Sequence, residues 1–175
     1  MREAFPRATI LRPSIVVGPR DSFFNRFAAM ARLSPALPLI GGGRTRFQPV
    51  YVGDVADAIV AALERDDAPG RTYELGGPQV YSFAELMRYM LQVIGRRRLL
   101  VPVPFEAAAL QARVLELLPA PPLTRDQVEL LKNDNLVAGN AATLADLGVT
   151  PTPIELVVPE YLDRYRSTPA RVVRL

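Results

Sequence analysis

Few side chains in this chain can do acid–base chemistry. Histidine and cysteine are both absent. That removes the commonest general base, the commonest metal ligand, thiolate nucleophiles and disulfides. Asp, Glu, Tyr and one lysine, Lys132, are left. Carboxylates pair at Asp54/Asp57 and Asp66/Asp67, and Asp134 stands alone. Each lies at an expected helix start or in a loop, so capping and solvation explain them better than proton transfer or metal binding. No catalytic residue and no metal ligand is assigned. The triple glycine Gly41-Gly42-Gly43 invites a phosphate-cradle reading, but Arg46 stands where a G-x-G-x-x-G pattern needs its last glycine. No Gly-Lys-Ser/Thr follows either. A turn at positive φ accounts for the three glycines.

The elements that position these residues follow from periodicity. Residues 8–11 and 14–17 read as a strand buried on both faces, broken at Pro13 and closed by Gly18-Pro19. Asp21 or Ser22 caps a helix with the stripe Phe23, Phe24, Phe27, Ala28, Met30 and Ala31, ended by Pro35 and Pro38. Two extended pieces flank the glycines between Leu39 and Val52. Asp54 then caps a helix over 55–65 whose expected buried stripe is Val55, Ala58, Ile59, Ala62 and Leu63. A strand at 71–75 precedes the capping box Ser82-Phe83-Ala84-Glu85 and a helix to Gly95.

Residues 98–103 read as another strand. Pro104 opens a helix carrying Leu110, Val114, Leu117 and Leu118, broken at Pro119, Pro121 and Pro122. A second capping box, Thr124 to Gln127, a short helix up to Leu147 and a last helix from Thr152 complete the order, with Pro159 expected to interrupt the last.

The 175 residues, 49% hydrophobic and 22% charged, suit one ordered domain. We expect late sheet strands and helices over 1–78 and a mostly helical part over 79–175. The apolar runs are too short to span a membrane, and Met1 to Pro6 is not a signal peptide, so a cytoplasmic location is expected. The net charge of +3 does not read as a nucleic-acid footprint. Arg96-Arg97-Arg98 is the only basic run and has no interleaved aromatics. The basic tail from Ser167 to Leu175 is expected to fray.

Three motifs in fixed order carry a family resemblance. Arg12-Pro13-Ser14-Ile15-Val16-Val17-Gly18-Pro19, Val52-Gly53-Asp54-Val55-Ala56, and Tyr73 to Gly77 followed by Ser82 resemble the later half of an extended or atypical short-chain dehydrogenase/reductase, of NAD-dependent epimerase/dehydratase type. Phe23 to Phe27, the segment from Leu39 to Val50 and Pro159-Glu160-Tyr161-Leu162 resemble the branch that includes the NAD(P)-binding accessory subunit of respiratory complex I. The resemblance covers residues beyond about 100 less specifically. It implies an α/β fold: the C-terminal part of a Rossmann-type doubly wound sheet with a small, mostly helical substrate-binding portion.

In that family the backbone after the Arg-Pro step faces the nicotinamide, which makes Pro13, Ser14 and Ile15 the cofactor-binding candidates. A strand ending at proline leaves following amides and carbonyls for a ligand at the sheet's C-terminal edge. Arg44, Arg46 and Gln48 match the segment that lines the family's substrate pocket, which suits an anionic or polar substrate. The family's catalytic tyrosine carries a lysine four residues later, lowering the tyrosine pKa. Here Val128 lies four before Lys132, and none of the six tyrosines has the partner.

The resemblance thus implies a substrate-side piece of an NAD(P)-dependent oxidoreductase or epimerase, or else a non-catalytic binding or assembly module. NAD or NADP and a small-molecule substrate belong to the longer parent, and tight dinucleotide binding by this chain alone is not expected. The beginning at Met1 reads as a truncation, a proteolytic remnant or a misassigned start, and the uncovered strand near Ile10 implies homo-oligomers through edge pairing.

Overall fold

The computed structural model describes residues 5–117 and 123–166. In chain order the elements are β1 (Ile10–Pro13), β2 (Val16–Val17), α1 (Phe24–Leu33), β3 (Ala36–Ile40), β4 (Arg46–Phe47), β5 (Val50–Tyr51), α2 (Val52–Glu64) and β6 (Thr72–Leu75). They continue with β7 (Tyr81–Ser82), α3 (Phe83–Val93), β8 (Leu99–Val103), α4 (Phe105–Leu115), α5 (Arg125–Leu130) and α6 (Ile154–Leu162). The strands join in pairs: β1 with β6, β2 with β5 and β3 with β8 are parallel, and β4 with β7 is antiparallel. The architecture is α/β, as expected.

Pro13 does not end the chain's progress along the sheet. It shifts the chain from one partner to the next: the Ser14 amide still donates to the Leu75 carbonyl at 2.9 Å, and the Val50 amide donates to the Ile15 carbonyl at 3.0 Å. The strand therefore leaves β6 and takes up β5 within two residues.

Local signals formed where their partners are near in sequence. Asp21 accepts from the amides of Phe24 (2.6 Å) and Asn25 (3.3 Å), opening α1. Ser82 and Glu85 close a reciprocal box on α3, and Thr124 and Gln127 close another on α5; each such cap is worth about 1 kcal/mol. All three clustered glycines take positive φ (62°, 69° and 70°), and a Cβ at Gly41 would lie 2.2 Å from the Phe105 ring. The turn therefore needs glycine for conformation and for space.

Three apolar clusters fill the interior. The largest joins α1, α3 and α6 through Phe24, Phe83, Met87, Met90, Ile154 and Val158. A second packs α2 on β6 through Ala58, Tyr73 and Leu75, and a third joins Ile40, Ala108, Ala112 and Val128.

Several expectations are corrected here. Ile59 and Leu63 were assigned to the buried stripe of α2, yet Leu63 is 81% exposed. The helix buries Ala58 and half-buries Val55 and Ala62, leaving the larger Ile59 and Leu63 on the side that meets solvent. In α4 the same logic turns Leu110 and Val114 outward while Ala108 and Ala112 face in. β3 starts at Ala36 and carries Pro38 within it, since the missing amide is tolerated on a strand with one partner. Pro159 lies inside α6 without interrupting it. The tail from Ser167, the residues 118–122 with their prolines, and Met1 to Ala4 lie outside the described residues. No helix among the described residues is long and apolar enough to cross a membrane.

Candidate functional site

Three of the candidates, Ser14, Arg46 and Gln48, converge on one segment, residues 131–138, which runs as a strap beside β4. Alternation along the chain places Arg44, Arg46 and Gln48 on one face, with Thr45, Phe47 and Pro49 buried on the other. Arg46 and Asp134 form three hydrogen bonds. The Arg46 amide reaches Oδ1 at 2.8 Å, and Nε and Nη2 reach Oδ2 at 2.9 and 2.7 Å. Donation from that amide first, then from the guanidinium, holds the Asp134 carboxyl below its ordinary value.

Gln48 spends both ends of its amide on the chain itself. Nε2 donates to the Gly77 carbonyl at 2.8 Å, and Oε1 accepts from the Val137 amide at 3.1 Å. Ser14, which is buried, donates from Oγ to the Asn135 carbonyl at 2.8 Å and accepts from the backbone N–H of Gln48 at 3.3 Å. Thr45 donates to the Leu131 carbonyl, and the Glu74 carboxylate accepts from the Ala138 amide at 2.9 Å. Strap and sheet are thus zipped by polar bonds along eight residues.

Pro13 is exposed, Ser14 buried and Ile15 half-buried at this edge. The ligand-facing backbone expected after Pro13 is partly occupied, because the Ser14 amide and Ile15 carbonyl serve the sheet. Arg44 is exposed on the loop after the glycines. Sequence reasoning missed Asn135 and treated Asp134 as an isolated carboxylate. No local spacing links either residue to Ser14 or Arg46, which are 121 and 88 positions away.

Asp54 is a further correction. It sits inside the first turn of α2, where its charge suits the helix dipole, and its side chain caps nothing there. It is 4% exposed and accepts from the Thr152 amide and from Thr152 Oγ1, both at 2.7 Å.

Behind the strap lies a cavity of about 890 Å³, bordered by Ile15, Phe23, Phe27, Phe47, Phe83 and Leu131. Phe23 makes tilted or edge contacts with Phe27, Phe47 and Phe83 at centroid distances of 5.5, 6.1 and 5.9 Å. The tyrosines near the neighbouring helices are poor proton donors. Burial raises Tyr81, helped by a 2.6 Å hydrogen bond to Glu155, and burial pushes Tyr89 up to about 12.

The sequence matches the family described as NAD dependent epimerase/dehydratase over residues 1–76. It is 40% identical over 174 residues to NADH dehydrogenase [ubiquinone] 1 alpha subcomplex subunit 9, mitochondrial, of Arabidopsis thaliana, covering 94% of this chain and 43% of that protein. The Mus musculus protein of the same name is 37% identical over 169 residues, covering 95% and 45%. The NADH-ubiquinone oxidoreductase 40 kDa subunit, mitochondrial, of Neurospora crassa is 32% identical, covering 95% and 44%. The chain spans less than half the length of these relatives.

Among solved structures, a UDP-glucose 4-epimerase of Thermotoga maritima superposes with a TM-score of 0.62 at 18% identity, covering 88% of this chain and 45% of that one. A dTDP-glucose 4,6-dehydratase of Streptomyces venezuelae, solved with NAD, gives 0.61 at 18%, covering 89% and 42%. These two likenesses speak to the fold.

The expected cytoplasmic location is overturned by the relatives, which are named as mitochondrial in all three organisms. Motif order, parallel strand pairs and the family match agree in making residues 1–76 similar to the NAD dependent epimerase/dehydratase family.

Proposed function

We propose that the chain serves in a non-catalytic NAD(P)-binding or assembly module, in a mitochondrial setting, rather than as the substrate side of a working epimerase or oxidoreductase. The observation that carries this reading is the 40% identity over 174 residues to a protein named as a subunit of NADH dehydrogenase. The geometry supports it. Ser14, Arg46 and Gln48, the residues best placed to hold a reacting ligand, instead fasten the strap to the sheet.

In this reading the edge at Pro13, Ser14 and Ile15 faces a dinucleotide, NAD or NADP, in a longer protein, and Arg44 stays available to a polar partner. Phosphate binding in doubly wound folds rests on a glycine-rich turn at a helix N-terminus, so this chain alone should bind dinucleotide weakly. β1 has a hydrogen-bonded strand, β6, on one side, and period-two alternation turns the Leu11 amide to the other side. A second copy pairing there would give the homo-oligomer.

The test is copurification. Tagged chain, incubated with detergent-solubilised mitochondrial membranes, should migrate on a native gel with a high-mass species that oxidises NADH. The purified chain should not turn over NAD with UDP-glucose or dTDP-glucose. Epimerase or dehydratase turnover by the purified chain, or migration wholly apart from the NADH-oxidising band, overturns the reading.

A further inference from the structure

We propose that the cavity behind the strap binds an uncharged, largely apolar small molecule. Its volume of about 890 Å³ lies within the range of pockets that enclose a drug-sized ligand. Four phenylalanines line one wall, with Phe27 and Phe83 in edge contact at 5.4 Å. Their mutual packing leaves ring faces and edges that offer dispersion contact without hydrogen-bonding demands.

The charges around the cavity decide the ligand's class. Among the described lining residues Arg26 is the one cation, and its Nη1 donates to Gln127 Oε1 at 3.0 Å. Three carboxylates share the lining: Asp126, Glu129 and Asp134. A phosphate or carboxylate ligand would meet more negative than positive charge. Arg46, the nearby guanidinium suited to hold an anion, is held in a two-pronged pair by Asp134. A cationic ligand would find Glu129 already paired with Lys132 at 2.6 Å and Asp134 with Arg46, which leaves only Asp126, exposed at the start of α5, to attract it. An uncharged apolar molecule forfeits no solvation of its own and displaces water from aromatic surface.

The whole 175-residue chain can be titrated with the neutral fluorophore N-phenyl-1-naphthylamine, with 1-decanol, decanoate and UDP-glucose as competitors. Saturable one-to-one binding is expected, displaced by decanol, at least tenfold less well by decanoate, and not by UDP-glucose. Ser22→Trp, at an exposed lining position, should weaken binding about tenfold with an unchanged melting curve. Leu130→Arg, also exposed and lining, serves the same purpose if the tryptophan disturbs folding. Asp134→Asn releases Arg46 and should improve decanoate severalfold relative to decanol, a shift that a merely structural role for Asp134 would not produce. Non-saturable fluorescence, decanoate or UDP-glucose competing as well as decanol, or folded blocking variants with unchanged affinity would each overturn the assignment. The assignment stands whether or not the chain joins a larger assembly, since the titration involves no partner.

Discussion

Two carboxylates fasten distant segments in this molecule, and they do so under opposite conditions. Asp54 is 4% exposed and accepts two bonds from Thr152, 98 residues away. Asp134 is exposed and accepts three bonds from Arg46, 88 residues away. Counting bonds would rank Asp134 higher, but physics ranks them the other way. A buried acceptor has no water to replace its lost partner, whereas an exposed ion pair competes with solvent and salt at every moment. The Asp54 contact thus holds the fold together, and the Asp134 contact sets the position of a surface strap beside the cavity.

The largest test of this contrast is Asp54→Ala, which leaves the Thr152 amide and hydroxyl without their acceptor. A loss of about 2–3 kcal/mol is expected, since bonds to charged groups lie at the upper end of the range. For a chain of this size that lowers Tm by roughly 4–12 °C, readable by calorimetry. A change of under a degree would end the claim that the buried contact dominates.

Thr152→Val keeps the backbone donor and removes only the hydroxyl, so about 1 kcal/mol should be lost. A double-mutant cycle with Asp54→Ala should show strong coupling between the two.

Ser14→Ala removes the hydroxyl that joins Asn135 to the Gln48 amide. Global stability should fall by about 1 kcal/mol. Hydrogen exchange should accelerate at Val137 and Ala138 more than in α3; uniform acceleration would show that the strap is no separate unit.

Arg46→Ala should have the smallest effect on Tm, and its influence should vanish in high salt. The pH dependence follows from the same pair. Asp134 titrates lower in the folded chain than in the unfolded one. Its stabilisation is therefore present above the ordinary carboxylate range and is lost as pH falls through the lowered value. Exchange protection of the strap should persist at neutral pH and decline only in acid, and Asp134→Asn should remove that acid-dependent step. Loss of protection already near neutral pH would assign the strap's hold to some other group.

How far the sequence could be read depended on how far each residue's partner lay along the chain. Asp21, Ser82 with Glu85, and Thr124 with Gln127 were legible as caps because their acceptors and donors lie within four residues. The family resemblance was legible from three motifs in order. Asp54 was misread as a cap because its carboxylate fits that role locally, while its actual partner lies near the other end of the chain. Ile59 and Leu63 were misplaced for a related reason: periodicity marks an apolar stripe but cannot tell which part of it meets a neighbour.

The sequence by itself determined the local events: where the capped helices start, that the triple glycine turns at positive φ, that the chain has no histidine or cysteine chemistry, and which family its motifs resemble. Each follows from residue type or from spacing within one element. The tertiary structure alone decided which side chains meet. Only folding brings Asn135 to Ser14, Asp134 to Arg46 and Thr152 to Asp54. It thereby turns expected ligand-binding residues into fastenings and gathers four phenylalanines around a cavity that no stretch of sequence contains. Such contacts join residues about a hundred positions apart, and their hydrogen bonds and buried surface exist only once the intervening chain has folded.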